Sequence, residues 1–157
     1  MPLFVDTIEN KLIFDALEKS IFTTAKIMSN NLEIFEIVGG PIELKTYLAR
    51  CITDNDGTAS TFKLYADATV GGVTDICGVS GSLALAVAGT IINLVGGALA
   101  TGPVITPTGA AISQLFPILV PTGTLKLTIA GGSTTGTWIH HLRYMPLSPK
   151  ATVIASF

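Results

Sequence analysis

A chain of 157 residues is long enough for one domain with a sizeable core, with no need of metal or disulfide staples. Only 13% of it is charged, about half of the roughly 25% usual for soluble domains, while 48% is hydrophobic and 20 threonines and 16 glycines supply much of the rest. That balance excludes a disordered tail, a coiled coil and a highly basic nucleic-acid binder, and a net charge of −2 gives no drive toward phosphate. So few charges cover the surface thinly, and neutral faces are expected to meet other subunits. All eleven acids lie at or before Asp75, and beyond it the only cations are Lys126, Arg143 and Lys150. Carboxylate-pair catalysis therefore cannot be built from the C-terminal half alone.

Residues 1–19 differ from the rest of the chain. Val5, Ile8, Leu12 and Ala16 recur at helical spacing, with Asp6, Glu9, Asp15 and Glu18 on the flanks. The pattern predicts an N-terminal arm over 1–19, helical in part, with a strand over Lys11–Phe14 as the alternative. One short amphipathic element is marginal by itself, so Phe4, Val5, Ile8, Leu12 and Phe14 are expected to contact a partner. The first residues lack a basic segment, and Asp6 and Glu9 interrupt the apolar residues after them, so no secretory signal is expected.

Residues 20–157 are expected to form the β domain. The runs at 21–27, 32–38, 42–52 and 60–66 are strand-like, separated by Ser29-Asn30-Asn31, Gly39-Gly40-Pro41 and Thr53-Asp54-Asn55-Asp56-Gly57. Unbroken alternation over 42–52 puts Leu44, Thr46, Leu48, Arg50 and Ile52 on one face, and Glu43, Lys45, Tyr47, Ala49 and Cys51 on the other. Phe62, Leu64 and Ala66 are expected inward. Shorter runs come next at 72–79, 90–95, 103–107 and 117–121, with prolines at the edges of the last two. The strand at 123–132 carries Leu125, Leu127 and Ile129 on one side, and a last strand covers 136–147. Eight to ten short strands joined by long connections predict an all-β, jelly-roll-like sandwich.

Leu83–Ala100 is 18 nearly apolar residues, close to the length of a spanning helix. Gly89, Asn93, Gly96 and Gly97 interrupt it and no basic residue flanks it, so buried strands are the favoured reading and a membrane-active segment the rival.

No motif carries an obvious reaction. Asp54-Asn55-Asp56-Gly57 opens like a calcium loop, but its glycine comes early and Tyr65 stands where a bidentate Glu is required. His140 and His141 are strand neighbours pointing to opposite faces, so they cannot chelate one ion as a pair. His140 shares a face with Trp138, Leu142 and Tyr144, and His141 with Thr137, Ile139 and Arg143. Cys51 and Cys77 form no C-x-x-C pair and are expected to be buried, reduced thiols, a disulfide between them being the alternative. Gly78-Val79-Ser80-Gly81-Ser82 lacks the second glycine of a nucleophile elbow. No enzymatic activity, cofactor or metal is expected.

The final strand, Gly136-Thr137-Trp138-Ile139-His140-His141-Leu142-Arg143-Tyr144-Met145-Pro146-Leu147, resembles the closing strand of small virion proteins of tailed bacteriophages. Leu32–Ile52, with Ile37-Val38-Gly39-Gly40-Pro41-Ile42 between two strands, and Pro121-Thr122-Gly123-Thr124-Leu125 are similar to the same group. The resemblance covers residues 20–157. It implies a jelly-roll capsid decoration, or cement, protein found as dimers or trimers on the outer surface of the phage head. The partners it implies are further copies of the chain and the major capsid protein or another virion protein, with neither nucleic acid nor membrane. A tail, fibre or head-fibre adaptor or receptor-binding component is the alternative, and a glycan-binding module a more distant one. Trp138 and Tyr144 are expected to anchor the core or a subunit contact.

Overall fold

The computed structural model describes residues 18–94, 100–107 and 118–157. Among them are twelve strands: β1 Lys19–Phe22, β2 Lys26–Ile27, β3 Glu33–Val38, β4 Ile42–Cys51, β5 Thr61–Ala68, β6 Gly72–Asp75, β7 Ile91–Asn93, β8 Val104–Thr106, β9 Ile118–Val120, β10 Gly123–Ala130, β11 Thr137–Pro146 and β12 Thr152–Ala155. The first sheet runs β1-β11-β4-β7-β8, with β2 also beside β11 and β9 beside β4. The second runs β12-β3-β10-β5-β6.

The antiparallel ladders β1·β11, β3·β10, β4·β7 and β5·β6 nest one inside the next, as in a single long hairpin. Winding that hairpin on itself adds the ladders β4·β11 and β5·β10, which close two facing sheets. This is a jelly-roll β-sandwich. The larger number of strands than expected comes from short pieces along its edges. The run at 21–27 is split because Thr23 spends its hydroxyl as well as its N–H on His140, and Thr24 N–H turns to the Phe157 carbonyl. The chain rejoins β11 at Lys26, opposite Trp138. β12, which the sequence reading passed over, covers the free side of β3.

Two bulges decide which side chains face inward. Between β4 and β11 the register skips Lys45, with Arg143 opposite Thr46 and Tyr144 opposite Leu44. The extra residue reverses the alternation, so Ile42 and Leu44 are buried on one side of it and Tyr47, Ala49 and Cys51 on the other. The expectation that Leu44 and Leu48 share a face is thus corrected: Leu44 enters the core and Leu48 faces out. A second shift, between Leu125 and Lys126, lets the neighbouring Ile34 and Phe35 of β3 both be buried. Phe62, Leu64, Ala66, Leu125, Leu127 and Ile129 point inward as expected. Trp138, Tyr47, Phe35 and Phe62 are the bulkiest of the fully buried side chains, and the Tyr47 and Phe62 rings stack across the two sheets at 6.0 Å.

β1 begins at Lys19, the last residue of the range expected for the arm. Phe4, Val5, Ile8, Leu12 and Phe14 lie outside the described residues, as do 95–99 of the apolar stretch 83–100. Its described part, 83–94, consists of turns, loop and β7, and no helix among the described residues is long and apolar enough to cross a membrane.

Candidate interaction face

Because strand partners directly opposite one another point to the same side, the registers define what each sheet shows to solvent. On the first sheet, Phe22 lies opposite His141, His141 opposite Leu48, and Ile139 opposite Arg50. Ser20, Arg143 and Thr46 form the adjoining row. This outward face is apolar around Phe22, Leu48 and Ile139, and carries two arginines, the Glu18 partner of Arg143 and a Glu43–Lys45 ion pair at 2.8 Å. On the second sheet the outward row is ionic: Glu33, Glu36, Asp67 and Asp75 stand with Lys63 and Lys126. Lys126 pairs with Asp67 at 2.7 Å and Lys63 with Asp75 at 3.0 Å. The hydrogen bond from Lys126 to Asp67 holds the ammonium pKa above its ordinary value. Both outward faces therefore carry charge, and the apolar part of the first is the patch of Phe22, Leu48 and Ile139 beside Arg50.

A cavity of about 370 Å³ opens on the first sheet's outward face, lined by Phe22, Thr23, Leu48, Arg50, Ile139 and His141. Phe22, 60% exposed, stacks on His141 with ring centres 4.2 Å apart and planes 6° from parallel. Ser20 Oγ hydrogen-bonds His141 Nε2 and fixes the ring against rotation. Partial burial, and then the Arg143 charge, lowers the His141 pKa, so the stacked ring is neutral at neutral pH. Arg143 itself ion-pairs with Glu18 at the start of the described chain. A shallow, rigid, apolar surface with an exposed guanidinium suits a protein contact.

Trp138 and Tyr144, expected to anchor the core or a subunit contact, lie in the core. Both are buried; the indole N–H donates to Asn55 Oδ1 at 3.4 Å, and the Tyr144 hydroxyl accepts from Val153 N at 3.3 Å. Of the two places open to Trp138, the core is the one it occupies, and neither residue presents a surface to a partner. Tyr47 and Tyr65 are buried as well, so no Trp or Tyr ring of the chain is exposed for stacking on a sugar.

The groups that suggested chemistry have structural roles. His140 is fully buried and shares a 2.7 Å hydrogen bond between Nδ1 and Tyr47 Oη. Burial pushes its pKa down to about 3 and that of Tyr47 well up, so both are neutral. Cys51 and Cys77 are free, buried thiols, each pushed up to about 11, chiefly by burial, which withholds the thiolate a nucleophile needs. In the Asp54–Gly57 segment, Asp54 Oδ1 accepts from Ala88 N at 2.6 Å, tying two loops together, and Asp56 Oδ1 accepts locally from Thr58 N at 2.8 Å. Among the described residues no group of three His, Cys, Asp or Glu side chains could hold a metal ion.

Phe22, Leu48, Arg50, Ile139 and His141 do not stand out as one site in the sequence. The signal was present in part, since the two-residue period already put His141 with Ile139 and Arg143, and Leu48 with Arg50. What it lacked was the pairing that lays those rows side by side. In comparisons with known proteins, no protein-family model, no curated protein and no solved structure matches the chain.

Proposed function

We propose that the protein is a structural component of a tailed-phage virion, a decoration protein that bridges major capsid subunits on the outer surface of the head. It performs no reaction. It holds neighbouring subunits together through a broad contact face, and works as an oligomer. The observation that carries this reading is the apolar patch on the outward face of the first sheet, centred on exposed Phe22 with Leu48 and Ile139 around it. Contact faces depleted of charge and carrying aromatic and arginine residues are typical of protein interfaces. The resemblance of residues 20–157 to small phage virion proteins supplies the setting.

The reading is tested on particles purified by density gradient from a lysate containing the protein. Quantitative mass spectrometry should find the chain in many copies per particle, and antibody labelling should decorate heads. Absence of the chain from purified particles, or labelling confined to tails, contradicts the proposal.

A further inference from the structure

We propose that the groove on the outer face of the first sheet receives the N-terminal segment, residues 1–17, of a second copy of the chain. The groove lining supplies the apolar side chains Phe22, Leu48 and Ile139 together with the cation Arg50 and the ring of His141, and it includes no acid. Segment 1–17 has the complementary composition: Phe4, Val5, Ile8, Leu12 and Phe14 interleave with Asp6, Glu9 and Asp15, against one cation, Lys11. No segment beyond Asp75 could match the arginines in this way, because none contains an acid. The one acid next to the segment, Glu18, already lies on this face as the ion-pair partner of Arg143.

Strand direction selects a second copy as the source. β1 runs from Lys19, opposite Tyr144, to Phe22, opposite His141. The chain before Lys19 therefore reaches the sheet from the end remote from Ile139 and Arg50, which lie opposite each other beyond His141. To enter its own groove the segment must reverse, and the residues between Leu3 and Phe22 contain neither glycine nor proline, the strongest turn formers. A neighbouring molecule can offer its groove without any reversal. Exchange of two segments in a symmetric pair uses the same contact twice, which strengthens a weak single docking.

The test uses the full chain without particles. One preparation carries Ile8→Cys, another Ile139→Cys, and the two are mixed and mildly oxidised; Cys51 and Cys77 are buried and do not compete. A disulfide-linked dimer should form in the mixture, and should not form when Thr128→Cys, on the opposite face, replaces the groove variant. The same link should form with Leu48→Cys, which guards against a folding defect of the Ile139 variant, and thermal melting verifies that each variant is folded. Arg50→Glu in the otherwise natural chain should weaken self-association about tenfold at low salt. The proposal is overturned by failure of both folded groove variants to cross-link in the mixture. It is equally overturned by a double Ile8→Cys, Ile139→Cys chain that links only within itself, or by unchanged self-association of Arg50→Glu. Failure here would leave the virion reading standing, since that reading is scored on particles; absence from particles would leave the exchange standing.

Discussion

Burying Trp138 leaves an indole N–H in need of an acceptor, and Asn55 supplies it from the loop between β4 and β5. The same amide oxygen accepts from Gly136 N at 2.9 Å, and the amide nitrogen donates to Leu83 O at 2.9 Å. Trp138→Ala should lower stability by about 3–5 kcal/mol, measured by denaturant unfolding, because it empties a fully packed site. An unchanged midpoint contradicts its place in the core. Asn55 was legible in the sequence only as a turn residue; its partners lie at Leu83 and Gly136, and no local pattern announces them. His140 was more legible, because strand alternation put it on the Trp138 face. Its Nε2 has no hydrogen-bond partner among the described residues, and its surroundings include Tyr47 and the edge of the Phe157 ring. With the folded pKa near 3 and the ordinary value 6.5, the unfolded chain binds more protons between those values. Stability from this residue is fully present above pH 6.5 and is lost as pH falls toward 3, with a slope of about 1.4 kcal/mol per pH unit. His140→Phe should flatten the pH dependence of unfolding by that slope in that window. Parallel curves for the two proteins contradict the assignment.

At the scale of elements, the sequence reading located most of the strands because β-branched runs alternate with turns rich in glycine, proline and asparagine. It misjudged faces wherever a bulge intervened, since the extra residue at Lys45 reverses every later position in a way that periodicity along one strand cannot show. It also passed over β12, whose four residues, Thr152–Ala155, become a strand only by adding to β3. Two glycines separate local freedom from tertiary need. Gly131 has φ +87°, and a side-chain carbon there would lie 1.9 Å from the Ala59 carbonyl oxygen. Gly57 has an ordinary backbone and open space around it. Gly131→Ala should destabilise the protein by about 1–3 kcal/mol or more. Gly57→Ala should be neutral or stabilise it by up to about 1 kcal/mol through the unfolded chain. Paired thermal melts check both, and equal effects contradict this reading of the β10–β11 turn.

For the whole molecule, the low charge content is legible in the composition, but the placing of the charges is not, because that depends on which strands the jelly roll lays side by side. Glu33, Glu36, Lys63, Asp67, Asp75 and Lys126 come from four strands and reach one face only through the β3·β10, β10·β5 and β5·β6 ladders. A charge inserted on either face should therefore have unequal effects. Ile139→Lys should dissociate the proposed oligomer at micromolar concentration in sedimentation velocity, whereas Thr128→Lys, among existing charges, should leave it intact. Equal behaviour of the two variants contradicts a contact face on the first sheet. The most direct test of the proposed attachment is a cryo-electron-microscopy map of the native particle at a resolution that orients the sandwich. The account predicts jelly rolls on the outside of the head with the Phe22–Leu48–Ile139 face covered by neighbouring protein and the Lys63–Asp75 face toward solvent. The reverse orientation, or heads that carry no such density, would contradict it.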